Sequence, residues 1–141
     1  MCMFDFEIRK VIKSKFPGCV DEVNLSGGKV RVDLLDFSNE KLIGWEIKSD
    51  HDSLLRLPRQ IEEYSKCLEY VNIVTGDRYS HVIDFVPSFW GVFVCKNNKL
   101  IQVRKAKRNP QIDLLAMSKI LWKSECIQLI NVREKVHGIY R

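Results

Sequence analysis

Between Ile43 and Lys48 the chain reads IGWEIK, a strand-length apolar run that carries a carboxylate and an ammonium. Strand side chains alternate between faces, so Gly44, Glu46 and Lys48 share one side and Ile43, Trp45 and Ile47 the other. Behind the strand come a polar turn, SDHDS, and a helical pattern that contains Gln60 and Tyr64. A charged pair on such a strand has two explanations. It is a salt bridge on a solvated sheet face, or it is half of a metal site.

The rest of the chain supplies a globular frame for that run. With 141 residues, 45% of them hydrophobic and 29% charged, it has the length and composition of one compact domain with its own core. The net charge of +5 suits a nucleic-acid partner without requiring one. Five cysteines, an odd number with no CxxC pair, support neither a disulfide framework nor a zinc ribbon. The start, MCMFDFEIRK, lacks the basic and continuously apolar segments of a signal peptide. The apolar stretch from Val82 to Cys95 is broken by Asp84 and Pro87 and is too short to span a bilayer. The expected setting is cytoplasmic, away from membranes.

Phe4, Ile8, Val11, Ile12 and Phe16 recur at helical spacing, which predicts a helix from Asp5 to Lys15 ended by Pro17-Gly18. Strands are expected over Cys19 to Leu25 and Lys29 to Phe37, joined through Ser26-Gly27-Gly28, with a third over Leu42 to Lys48. Leu54, Leu57, Ile61, Tyr64 and Leu68 predict a second helix with Pro58 in its first turn. A buried strand follows over Tyr70 to Thr75, then strands at Gly91 to Cys95 and Leu100 to Arg104, and a closing helix from Ile112 to Ile130. The expected fold is therefore α/β: an αβββαβ core with a mixed sheet, extended by a C-terminal β-hairpin and helix.

On the second strand, alternation places Arg31, Asp33 and Leu35 on one side and Val30, Val32 and Leu34 on the other. If Ser38 to Lys41 forms the hairpin loop, Asp33 lies directly across from Glu46. Like charges in that position are destabilising. A divalent cation bridging the two carboxylates would compensate. Gln60 and Tyr64, one helical turn apart, share a face. They are either a core aromatic with a solvated neighbour or a pair directed at the carboxylates.

In this order, Asp33, Glu46-x-Lys48 and Gln60-x-x-x-Tyr64 resemble the PD-(D/E)XK nuclease superfamily, and the QxxxY element resembles that of its RecB-like members. The string EIKSDHDSLLRLPRQIEEYSK also looks like a small bacterial and phage subfamily with an EIKSD…RLPRQ…Y signature. The resemblance implies a restriction-endonuclease-like core and a metal-dependent deoxyribonuclease. It implies Asp33, Glu46 and the Ile47 carbonyl as ligands for Mg²⁺, with Mn²⁺ able to substitute. Lys48 would orient the attacking water. Val32 stands where the superfamily's name has proline. Glu7 matches the extra acid that some members place on the first helix, in competition with Asp5 and Glu22. Hard oxygen ligands suit Mg²⁺, which can activate water and clamp a phosphate oxygen.

Other features carry less. Asp50-His51-Asp52 reads as an N-cap at Asp52 with a solvated neighbour, or as a metal triplet. His81 and His137 have no spaced partner. Arg104, Lys105, Lys107 and Arg108 form either solvated surface or a strip for backbone phosphates. Phe89 and Trp90 read as core, with base stacking as the alternative. The expected partner is nucleic acid, DNA first, and a homodimer is compatible with cutting two strands. The alternatives to a nuclease are a catalytically silent module of the same fold that binds DNA or a protein, and a structural subunit whose Glu46 and Lys48 merely pair.

Overall fold

The computed structural model describes residues 3–37 and 40–122. Alternating apolar positions build a six-stranded mixed sheet whose strands lie side by side in chain order. They are β1 (Val20–Leu25), β2 (Val30–Asp36), β3 (Ile43–Lys48), β4 (Tyr70–Thr75), β5 (Gly91–Lys96) and β6 (Lys99–Arg104). β2 runs antiparallel to both β1 and β3, β3, β4 and β5 are mutually parallel, and β6 returns antiparallel to β5. The parallel step from β3 to β4 needs a crossover, and α2 (Leu57–Cys67) supplies it. A 3₁₀ segment, Asp77–Asp84, makes the corresponding link from β4 to β5.

Helices cover both faces. α1 (Asp5–Lys15) lays Ile8, Val11 and Ile12 against Trp45, Ile47, Val74 and Phe93. α2 and α3 (residues 114–122) cover the other side, where Leu57, Tyr64, Leu68 and Ile120 meet Val32, Val71, Ile73 and Trp90. The predicted αβββαβ order, the added hairpin and the start of the closing helix are all present. The stretch from 123 to 130 of that predicted helix, with Cys126 and His137, lies outside the described residues. Asn97 and Asn98, at φ 50° and 61°, make the two-residue β5–β6 turn, whose primed geometry requires left-handed residues.

Pro58 lies in the first turn of α2 as expected, because its missing N–H and fixed φ suit that position. Asp52 does not cap this helix. Its Oδ2 accepts from the Ser49 N–H at 2.7 Å, closing the turn after β3, and the bend at 54–56 separates it from Leu57. His51 stacks on Phe4 instead of joining a metal triplet. Phe89 and Trp90 are core residues. Phe4 is not: it stays 47% exposed although its spacing matches the buried stripe of α1.

Gly44 sets the distance between α2 and β3. A Cβ there would come 2.5 Å from Leu68 Cδ1 and 3.3 Å from Val32 Cγ2. Gly44→Ala should therefore destabilise the fold by about 1–3 kcal/mol through overpacking, measurable by urea unfolding. It should also pull the α2 side chains away from β3.

Candidate functional site

The β2–β3 ladder pairs Asp36 with Ile43, Leu35 with Gly44 and Leu34 with Trp45, and the next step in this register is Asp33 with Glu46. There the two strands part. Asp33 Oδ2 accepts the Ile47 N–H at 2.8 Å, a donor that a continuing ladder would have given to backbone. The β1–β2 ladder skips the same level, leaving out Glu22 and Asp33, and Glu22 adopts φ 56°. A left-handed non-glycine residue inside a strand is strained. This distortion overturns the simple alternation expected for β2. Leu34 packs with the α1 side, and Leu35 joins Val32 on the α2 side.

The result is a notch in which Asp33 is reached from both faces of the sheet. From the α2 side comes Glu46, 2% exposed. The Tyr64 hydroxyl lies 2.6 Å from Glu46 Oε1, and Gln60 Nε2 donates to Oε2 at 3.1 Å. Lys48 Nζ, 3% exposed, is 3.4 Å from the same Oε2. The two α2 side chains thus face the carboxylates, as their one-turn spacing allowed, and the Glu46–Lys48 pair is buried, not solvated. Gln60 Oε1 is buried with no hydrogen-bond partner among the described residues.

From the α1 side comes Arg9, which the sequence reading missed. It donates to the Asp33 carbonyl at 2.9 Å and to Asp5 and Asp21 carboxylates at 3.1 Å, and it lies 3.6 Å from Asp33 Oδ1. Burial alone would lower the proton affinity of its guanidinium, but the bonds to Asp5 and Asp21 and the charge of Asp33 raise it. Of the competing helix acids, Asp5 lines the notch. Glu7 does not: its carboxylate accepts the Phe4 N–H at 2.9 Å and caps the helix start. Asp5 and Arg9 form an i,i+4 pair, the sequence signal that could have selected them over Glu7.

Pushing two carboxylates together in a buried site raises their proton affinity. Glu46 is shifted up to about 8, first by burial and then by the charge of Asp33, with Lys48 and Tyr64 pulling it back. Asp33 is raised by burial, against the Ile47 N–H and Arg9. Burial and the Glu46 charge also push the Tyr64 phenol up, so it stays a neutral donor. The Cys19 and Cys67 thiols are pushed up to about 12 by burial and are poor nucleophiles.

The notch opens into a groove of about 600 Å³ whose lining includes Asp5, Asp33, Glu46 and Gln60 together with Lys29, Arg31, Arg56 and Arg59. A second cleft of about 360 Å³ reaches Ile47, Lys48 and Leu55. Residues of a strand point their N–H and C=O to the same edge, so the Ile47 carbonyl opens on the side where its N–H meets Asp33. Among the described residues no three His, Cys, Asp or Glu side chains form a metal-holding group. A cation here would use two carboxylates and a backbone oxygen. That donor set fits a hard divalent ion, because a cation would neutralise the mutual repulsion of Asp33 and Glu46, which adds to burial in raising the proton affinity of Glu46.

The basic run after β6 is placed elsewhere. Arg104 donates to the carbonyls of Trp90 at 2.9 Å and Pro87 at 2.8 Å, and Arg108 pairs with Glu69. Lys105 and Lys107 are exposed, and neither lines the groove. His81 packs edge-on against Phe85. No helix among the described residues is long and apolar enough to cross a membrane.

The chain is similar in structure to a protein of unknown function from Silicibacter pomeroyi, with a TM-score of 0.62 over 95% of this chain and 94% of that one at 13% identity. At that identity the likeness concerns the fold. No curated protein matches the chain in sequence. The profile of the bacteriophage P4 protein cII family matches residues 4–139, and the chain belongs to that family.

Proposed function

We propose that this protein is a metal-dependent nuclease of the PD-(D/E)XK type that hydrolyses phosphodiester bonds of DNA. The observation that supports this reading best is the buried convergence of Asp33, Glu46 and Lys48, with Gln60 and Tyr64 both bonded to Glu46. A solvated structural ion pair would have no reason to gather these four partners around one carboxylate.

Asp33, Glu46 and the Ile47 carbonyl would hold Mg²⁺, with Mn²⁺ able to substitute. Such an ion would supply a lowered pKa for water and positive charge for a phosphate oxygen. Lys48 orients the attacking water and offsets charge as it builds on the phosphorus centre. Tyr64 and Gln60 fix the rotamer of Glu46 through their hydrogen bonds to it. Arg56 and Arg59 hold the flanking phosphates. Arg9 keeps Asp33 at the gap between the strands through its carbonyl.

Incubation of the purified protein with linear, circular and branched DNA, in Mn²⁺ and in EDTA, tests the reading. Cleavage should require the metal. Gln60→Ala should lower metal affinity or cleavage roughly 10- to 100-fold with the fold intact, as is usual when a ligand's supporting hydrogen bond is removed. Unchanged kinetics and metal binding in Gln60→Ala would remove its role. A metal-induced thermal shift without cleavage of any nucleic acid would favour a silent binding module.

A further inference from the structure

Next in the chain to Asp5 and Asp52, two acids that line the groove, three rings stack in the open. Phe4 and His51 lie 3.9 Å apart between centroids and 7° from coplanar, and Phe4 and Phe6 lie 5.8 Å apart at 16°. Phe6 is 68% exposed, Phe4 is 47% exposed, and His51 is exposed. None belongs to either core cluster. Phe4 and Phe6 flank Asp5, and His51 precedes Asp52; both acids line the groove. Leu55, 88% exposed, lines the adjoining cleft.

Positive charge in the groove matches a polyanion. Arg56 and Arg59 are exposed, line the groove, and have no carboxylate within ion-pair distance among the described residues. Flat rings beside unpaired cations form the combination that holds single strands, where bases stack on aromatic faces while cations follow the phosphates. In a duplex the base faces are already covered by their neighbours. Only an unpaired segment presents faces to such rings.

We infer that Phe6, Phe4 and His51 form a stacking platform for unpaired bases, so that the groove receives single-stranded nucleic acid or the single-stranded portion of a branched or resected end. The inference rests on the nuclease reading for its ligand class and adds the strandedness of the substrate. Arg56 and Arg59 take the phosphates while the rings take the bases, which aligns the strand past Lys48.

Binding of a fluorescein-labelled oligothymidylate, and of a blunt duplex of the same length, is measured in EDTA by anisotropy. Wild type, Phe6→Ala, Phe6→Trp and His51→Ala are compared. Phe6→Ala should weaken single-strand binding roughly tenfold, leave duplex binding nearly unchanged, and be rescued by Phe6→Trp. His51→Ala should weaken it in the same direction. Equal single-strand affinity in wild type and Phe6→Ala would overturn the platform. So would a loss of self-association in Phe6→Ala, seen by sedimentation without a change in oligonucleotide binding, which would assign the rings to a contact between copies. The same proteins are then assayed for cleavage in Mn²⁺. Phe6-dependent binding with no cleavage in wild type would leave the platform standing and remove the hydrolase. Cleavage independent of Phe6 would do the reverse.

Discussion

Lys48→Ala should abolish phosphodiester cleavage while leaving metal binding nearly intact, with a rate loss on the order of 10²-fold or more for a group that acts on the transition state. Asp33→Asn and Glu46→Gln should lose both. The distinction follows from position. Lys48 approaches the site as a donor, 3.4 Å from Glu46 Oε2, whereas the two acids supply the oxygens that a cation would share. Single-turnover cleavage with Mn²⁺, paired with the thermal shift on adding Mn²⁺, separates the roles. The shift should persist in Lys48→Ala and shrink in both acid variants, because a ion that binds only the folded state stabilises in proportion to its affinity. Cleavage by a carefully purified Glu46→Gln protein at the wild-type rate would assign the activity to another site.

Without metal, the protein should become less stable as pH rises from about 5 to about 8. In the unfolded chain Glu46 loses its proton near 4.5, whereas in the fold it keeps that proton until about 8. Between these values the folded state binds more protons than the unfolded one, so raising the pH favours unfolding until both forms are deprotonated. The full effect is on the order of a few kcal/mol. Asp33, also raised, acts in the same direction, while Asp21 and Glu63 are lowered and act at more acid pH. Glu46→Gln imitates the protonated form and should flatten the slope. Mn²⁺ should reverse it, since the ion takes the place of the proton and binds better as pH rises. Urea unfolding at several pH values, in EDTA and in Mn²⁺, reads all three outcomes. A wild-type stability that rises steadily from pH 5 to 8 in EDTA would contradict the crowded-carboxylate account.

Much of this arrangement is legible in the linear chain because it depends on short-range rules. Pro58 fixes where α2 can begin. The four-residue spacing of Gln60 and Tyr64 fixes a shared face, and the hairpin register follows from the loop length. What the chain hides depends on tertiary context. The opening of the sheet at Asp33 needs Arg9 from α1 to hold the displaced carbonyl and Glu22 to take a left-handed conformation in β1, two events far apart in sequence. That opening is why Leu34 and Leu35 fall on faces that simple alternation reverses. Asp5 and Glu7 lie two residues, about 200°, apart around the helix axis, so choosing between them required knowing which side of α1 meets the sheet. Arg104 and Arg108 read as solvated surface or a phosphate strip, yet both arginines fasten the chain to nearby backbone carbonyls or to Glu69. Two of the cations that line the groove, Arg56 and Arg59, bracket Pro58 in a segment whose periodicity marks only its apolar side.

The central claim is that the gap between β2 and β3 is a cation site. Anomalous diffraction from a crystal grown with Mn²⁺ tests it most directly. A peak bounded by the Asp33 and Glu46 carboxylates and the Ile47 carbonyl, absent in Glu46→Gln crystals grown the same way, is the predicted result. Mn²⁺ bound elsewhere on the protein, with the gap between Asp33 and Glu46 empty at the same concentration, would contradict it.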